Sequence, residues 1–433
     1  MKILFIHQNF PGQYKHIAPA LAEVPGNEVI AIGERPNLGR LRHPKVREVG
    51  YKPPQGAGDK THPYVRRLEA AVRRGQQAAR VGFHLKDQGF TPDIICCHPG
   101  WGEGLFLRDV WPDTRILNFC EMHTRTKGYD INFNPNAQTS LDGLLKLRVR
   151  KSIYLLSMEQ ADWGIAPTHW QKSSFPDFLH DRISVIFDGV DTDQVCPDPT
   201  RTFTTKSGLT LGADDEVITF INRNLEPYRG YDVFMRALPD ILAQRPNAQV
   251  LIVGDRGVSY GRPAPDGQSY ADMFWDEVKG RLDTSRVHFL GRIPYGDLVD
   301  MMRISSVHVY LTYPFILSWS MVEAMSIGCL IVGSATPPVE EMLTDGENGL
   351  LFDFFDAQQL AARVDEALSH PDRFRSLREA ARRTVIERYD LQRICLPQQL
   401  QLIHDVAAGR SPRGGSDTEA DFADVPTLGR VVG

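Results

Sequence analysis

Short apolar runs rich in β-branched residues alternate with longer segments whose apolar positions recur at helical spacing. In the first half KILFIH (2–7), NEVIAIG (27–33), PDIICCH (92–98), RILNFCE (115–121), ADWGIAP (161–167) and RISVIFDGVD (182–191) predict strands. Helical patterns stand between them in YKHIAPALAEV, over 64–88 with Val65, Leu68 and Val72 in step, and near 142–160. The second half restarts the same grammar with EVITFIN (216–222), AQVLIVGD (248–255), RVHFLGR (286–292), VHVYLT (307–312) and CLIVGS (329–334). Such alternation predicts parallel, doubly wound sheets. The break falls at 196–212, rich in Pro, Thr and Gly, and divides the chain into 1–195 and 196–385. A helix over 386–409 follows, and the polar, Gly-rich stretch 410–433 is expected to be disordered.

At 433 residues the chain is too long for one ordinary core, which agrees with two domains. With 42% hydrophobic and 24% charged residues it reads as an ordinary globular protein. No apolar run approaches the ~20 residues that span a bilayer, and the N-terminus lacks a signal-peptide pattern, so a cytoplasmic location is expected. A net charge of −5 argues against nucleic acid as a partner. The six cysteines include no CxxC and are read as reduced thiols. No His/Cys/Asp cluster has metal spacing, so neither a metal nor a cofactor is expected.

Candidate chemistry gathers at predicted strand ends. Gly12, His98, Glu121, Arg223, Gly254 and Arg292 fall at or just after strands, and Glu323 opens the helix-like EAMSIG. In open α/β sheets that is where ligands bind. Arg223 and Arg229, six apart across RNLEPYRGYD, stand at the mouth of a helix and can close on one anionic group. The planar guanidinium binds phosphate oxygens bidentately and keeps its charge. No G-x-G-x-x-G follows the first strand, which disfavours a dehydrogenase.

Together these motifs resemble the retaining, nucleotide-sugar-dependent glycosyltransferases of GT-B fold, glycosyltransferase family 4. FDGVDTD (187–193) is similar to the family's turn before the inter-domain linker, and INRNLEPYRG to its phosphate clamp, with Arg229 where Lys is usual. LIVGD, FLGRIP and the run 322–353 complete the likeness. The resemblance implies an acceptor-side Rossmann-like domain over 1–195, a donor domain over 196–385, and a last helix packed back on the first. It implies Arg223, Arg229, Glu121 and His98 as catalytic. It places Gly12, Gly254, Arg292, Phe315, the amides of Ile316, Leu317 and Ser318, and Glu323 on the donor, and His123, Thr168 and His169 on the acceptor side. Where the family carries two glutamates eight apart, the first position here holds Phe315 and only Glu323 remains. The implied reaction moves a sugar from a nucleoside diphosphate sugar to the hydroxyl of a sugar, lipid-linked or small-molecule acceptor. A nucleotide-sugar 2-epimerase and a non-catalytic binding subunit are the alternatives. Arg66, Arg67, Arg73, Arg74 and Arg80, with Lys146, Arg148, Arg150 and Lys151, make the first half's helices basic, which suggests peripheral contact with an anionic membrane.

Overall fold

The computed structural model describes residues 1–412, so most of the stretch expected to be disordered lies outside the described residues. The first sheet holds β1 (Lys2–Ile6), β2 (Glu28–Glu34), β3 (Val46–Tyr51), β4 (Ile94–Cys97), β5 (Arg115–Phe119), β6 (Trp163–Ala166) and β7 (Ile183–Val185). A small antiparallel ribbon, β8 (Phe203–Thr204) with β9 (Thr210–Leu211), occupies the segment between the halves. The second sheet holds β10 (Val217–Asn224), β11 (Gln249–Asp255), β12 (Val287–Gly291), β13 (Val307–Tyr310), β14 (Leu330–Ser334) and β15 (Leu350–Phe352).

Strand order is 3-2-1-4-5-6-7 in one sheet and 12-11-10-13-14-15 in the other, with every described pairing parallel. Both sheets therefore reverse direction beside their first strand, at β1/β4 and at β10/β13. Successive side chains serve opposite faces, as a strand requires. Leu4 and Ile6 enter one apolar cluster while Ile3 and Phe5 enter another. Ile218 and Phe220 likewise oppose Val217 and Ile221 in the second sheet. Helices cover both faces, which is why these strands read as unbroken apolar runs.

The helix Leu396–Ala407 lies on the first half: Leu402, Ile403 and Val406 join the cluster of Ile3, Phe5 and Leu117. Each such buried side chain contributes about 1.5–3 kcal/mol. The chain crosses back where the Leu391 N–H donates to Val190 (2.8 Å) and Gln399 Nε2 donates to the carbonyl of Phe187 (2.9 Å). Among the described residues no helix is long and apolar enough to cross a membrane. All six cysteines are free thiols.

The two halves also touch directly. Phe133, from the long segment after β5, packs edge-to-face on Tyr313 (5.0 Å) and Phe354 (5.2 Å) and tilted on Phe355 (5.1 Å) of the second half. Tyr228 Oη donates to Asp130 (2.7 Å), and Asn134 Nδ2 donates to Tyr313 Oη (3.2 Å).

Candidate active site

The reversal point of the first sheet is lined by a chain of polar side chains. His7 leaves β1 buried, and its Nδ1 accepts the Asn9 N–H at 2.9 Å. Its proton therefore sits on Nε2, which donates to Gln13 Oε1 at 2.8 Å. Burial and then neighbouring His98 push the His7 imidazole down to about 3, so it is neutral. Gln13 Nε2 reaches on to Glu121 at 3.4 Å. His98, just past β4, accepts the Gly100 N–H on Nδ1 and turns Nε2 toward Glu121, 3.4 Å away. Its ring lies against Trp101 at 4.4 Å.

Glu121 is the meeting point of the halves. Burial alone would raise its pKa, but His98, then Arg223 and Arg229 of the second half, hold it below the ordinary carboxylate range. The carboxylate is ionised and 28% exposed, so it faces solvent rather than core.

Across the cleft, Arg223 projects exposed from the end of β10 with no carboxylate partner among the described residues. Arg229 is buried and braced: Nη1 donates to Thr312 Oγ1 (2.8 Å) and to the carbonyl of Ile316 (2.7 Å). Its guanidinium lies 5.1 Å from the ring of Tyr260 and 5.9 Å from that of Phe315. Tyr260 comes from the loop after β11, which is tied down by the buried carboxylate of Glu226. That group accepts the N–H of Ser259 (2.9 Å), Tyr260 (3.2 Å) and Gly261 (3.2 Å). The amides of Ile316 and Leu317 have no partner among the described residues. They stand one turn before the helix Trp319–Ile327, a place suited to an anion.

Glu323 is nine-tenths buried and accepts the Tyr295 hydroxyl at 2.9 Å. Burial raises its pKa, opposed by that hydrogen bond and by Lys15 of the first half. Lys15 Nζ sits 4.1 Å over the ring of Trp319, whose Nε1 donates to Asp188 (2.7 Å). Among the described residues no three His, Cys, Asp or Glu side chains are placed to share a metal ion.

Several expectations need correction. Thr168 is buried, and its hydroxyl accepts the Gln171 N–H as the N-cap of a short helix. His169 is exposed, and its N–H, with that of Trp170, donates to the carboxylate of Glu341 in the second half (2.7 and 2.8 Å). The Ser318 N–H is already spent on the Tyr310 hydroxyl (2.7 Å), which removes it from the anion-binding amides. Glu323 does not open its helix, which begins four residues earlier at Trp319. Arg292 is 74% exposed and paired with Asp255, so it is not a free cation.

The remaining residues fall as follows. His123 stands apart from the Glu121 chain, its ring 5.6 Å from Phe175 and its pKa pushed to about 4 by burial, then by Lys151 and Arg125. Gly12 lies in the cleft at φ +50, but the nearer demand on it is internal: a Cβ there would meet the His7 ring at 2.4 Å. Gly254 is the last residue but one of β11, where a Cβ would meet Leu225 at 2.8 Å. His7, Gln13, Tyr260, Glu226 and Tyr295 were not singled out in the sequence. Only their positions after strands or beside the arginines could have marked them.

Two doubly wound domains whose reversal points face each other across an arginine-lined cleft define the GT-B architecture. Residues 25–195 match the glycosyl transferase family 4 group and residues 204–384 match glycosyl transferases group 1. The chain belongs to this glycosyltransferase family. It is 24% identical over 283 residues to a D-inositol 3-phosphate glycosyltransferase of Corynebacterium aurimucosum, a match that covers 64% of this chain and 63% of that one. It is 22% identical over 319 residues to spore coat protein SA of Bacillus subtilis, covering 72% and 78%. Among solved structures, sucrose-phosphate synthase from Thermosynechococcus elongatus superposes with a TM-score of 0.72 at 20% identity, covering 94% of this chain and all (100%) of that one. The Anabaena protein HepE, solved with UDP-glucose, superposes at 0.65 and 16% identity over 94% and 99% of the two chains. At these identities the structural likeness establishes the fold.

Proposed function

We propose that the protein transfers a hexosyl group from a nucleoside diphosphate sugar to an acceptor hydroxyl with retention of configuration, in the synthesis of a glycan or glycoconjugate. The observation that carries this reading is the convergence of Arg223, Arg229 and the unpartnered amides of Ile316 and Leu317 on one end of the second sheet. In such a transfer the bond between the anomeric carbon and the diphosphate oxygen breaks, and a new bond forms to the acceptor oxygen on the same face. The leaving diphosphate gains negative charge, which the two guanidiniums and the amides stabilise without reorganising. The departing phosphate oxygen takes the acceptor's proton, so no pair of carboxylates at glycosidase spacing is needed. Glu323 accepts hydroxyl hydrogen bonds from the donor's ribose, with Tyr295 fixing its orientation. Glu121, held ionised by His98, faces the developing positive charge on the sugar ring.

The test is a screen of UDP-, GDP- and ADP-sugars for protection against thermal unfolding. The donor found is then incubated with sugar and lipid-linked acceptors, and the product's anomeric configuration is read by NMR. Release of nucleoside diphosphate with formation of a new glycosidic bond of the donor's anomeric configuration supports the reading. Conversion of the donor to its epimer without an acceptor supports a 2-epimerase instead. Donor binding without turnover on any acceptor supports a binding subunit.

A further inference from the structure

The helices Leu141–Arg150 and Ser152–Gln160 run end to end, because the residue joining them, Lys151, is itself in the right-handed helical conformation. Residues 141, 145, 149, 152 and 156 then fall on one face of a single rod. That face bears Leu141, Leu145, Val149 and Leu156, and the leucines are 72%, 40% and 49% exposed. No residue of the first helix is buried, so it contributes little to the core it rests on. An apolar stripe left in water on an otherwise well-packed domain calls for a partner.

The surroundings say which partner. Lys146 and Arg148 flank the stripe, Lys151 sits at the joint of the rod, and Arg66 and Arg67 open the neighbouring helix Arg66–Asp87. None of them meets a carboxylate among the described residues. Lys146 lies 6.0 Å from the ring of Tyr64, and Arg66 bonds only backbone carbonyls. By contrast Arg73 and Arg74, two turns along, are paired with Glu69 and Glu34. Of the carboxylates on the rod, Asp142 is engaged by the Tyr64 hydroxyl and Glu159 lies in its last turn. The protein as a whole carries −5, so this basic edge opposes its overall charge. Apolar side chains set among unpaired cations on one helical face are complementary to the headgroup region of an anionic bilayer.

We propose that the 141–156 face is a docking surface for anionic lipid bilayers, with Leu141, Leu145 and Leu156 entering the acyl boundary and Lys146 and Arg148 meeting the headgroups. This does not depend on the transfer reaction, and its test needs no turnover. The full chain is sedimented with vesicles of phosphatidylglycerol and phosphatidylcholine in equal parts, and with phosphatidylcholine alone. Binding is expected to the anionic vesicles only, weakening as salt rises. The double variants Leu141→Ser/Leu145→Ser and Lys146→Glu/Arg148→Glu should each bind about tenfold more weakly, with unchanged Tm because the replaced side chains are exposed. Failure of the wild type to bind anionic vesicles overturns the proposal, as does equal binding by the folded variants. A dimer in sedimentation velocity that the leucine substitutions dissociate, without vesicle binding, assigns the stripe to a second copy instead.

Discussion

Arg229 donates from Nη1 to the carbonyl oxygen of Ile316, 2.7 Å away, so the cation proposed to clamp the diphosphate also braces the loop that carries the unpartnered amides of Ile316 and Leu317. Here one nitrogen of the guanidinium fork holds Thr312 and Ile316 while the rest of the planar group stays available to an anion, an arrangement that the compact ammonium of lysine does not reproduce. Arg229→Lys is expected to lower kcat about a hundredfold, near 2.7 kcal/mol. It should also lower Tm, because the Thr312 and Ile316 acceptors lose a buried partner. Arg223→Ala is expected to cost about 2–4 kcal/mol in kcat at unchanged Tm, because that side chain is exposed. Near-normal turnover of either variant in steady-state kinetics counts against the clamp.

Glu323 should govern donor binding rather than the chemical step. Its Oε1 is held by Tyr295, and burial raises its pKa, so its charge is lost at a higher pH than for an ordinary carboxyl. On protonation it loses acceptor capacity toward hydroxyls. Donor affinity should therefore fall as pH drops toward that raised value, while Glu323→Gln binds weakly at every pH. Calorimetric titration of donor against pH checks this, and a pH-independent wild type removes the ribose role.

How much of this was legible in the sequence follows from burial. Strands covered on both faces, such as ILFI and ITFI, stand out as apolar runs and were readable. The edge strand β3 was not, because only Val46 and Tyr51 of VREVGY are buried and its charged residues break the run. β15 is too short to announce itself. In the site, the arginines and Glu323 carried a recognisable spacing. The Glu226 carboxylate that seats Tyr260 acts across more than thirty residues, and no local pattern encodes it. Thr168 and Ser318 share one feature: each is a helix N-cap whose polar group is already satisfied by a neighbour.

A second pH effect concerns stability. Glu103 is fully buried, accepts the Tyr51 hydroxyl at 2.7 Å, and is pushed up from 4.5 to about 7 by burial. The folded state thus holds this proton more tightly than the unfolded chain. The group's stabilising contribution is complete below about 4.5 and is lost as pH rises through 7. Between those values the slope approaches about 1.4 kcal/mol per pH unit. Glu103→Gln keeps an acceptor for Tyr51, and Arg74 keeps Glu34. The variant should be more stable relative to wild type at pH 8 than at pH 5.5 in urea unfolding. A difference that does not change with pH would show that Glu103 does not take up a proton there.

Phe133 should set how the halves face each other. Its ring crosses the cleft into Tyr313, Phe354 and Phe355, and Asp130 beside it holds Tyr228. Phe133→Ala removes the wedge but no part of either sheet. We expect a larger radius of gyration in solution scattering and kcat/KM down about tenfold, which is about 1.4 kcal/mol of transition-state stabilisation. Unchanged scattering and kinetics would show that the contact carries no closure energy.

Phe315 stands where the family places a glutamate, and its surroundings are aromatic. Its ring meets Tyr260 edge-on at 4.9 Å and Tyr228 at 5.5 Å, with Arg229 at 5.9 Å. A hexose beside the Arg229-bound phosphate would find ring carbons rather than a carboxylate to accept its hydroxyls. Burying an unpaired hydroxyl there costs about 1–3 kcal/mol, which favours a donor sugar with an apolar face or a missing hydroxyl. Phe315→Glu should change the ranking of donor sugars while nucleoside diphosphate affinity stays nearly constant, because in the proposed function Glu323 and the arginines hold the nucleotide. The new carboxylate would have Arg229 within reach, so Tm should fall only by the lost aromatic contacts, about 0.5–1.5 kcal/mol for each pair. A purely structural Phe315 gives a different pattern: a larger loss of stability with the donor ranking unchanged. Donor profile, nucleotide affinity and Tm measured on this one variant separate the two.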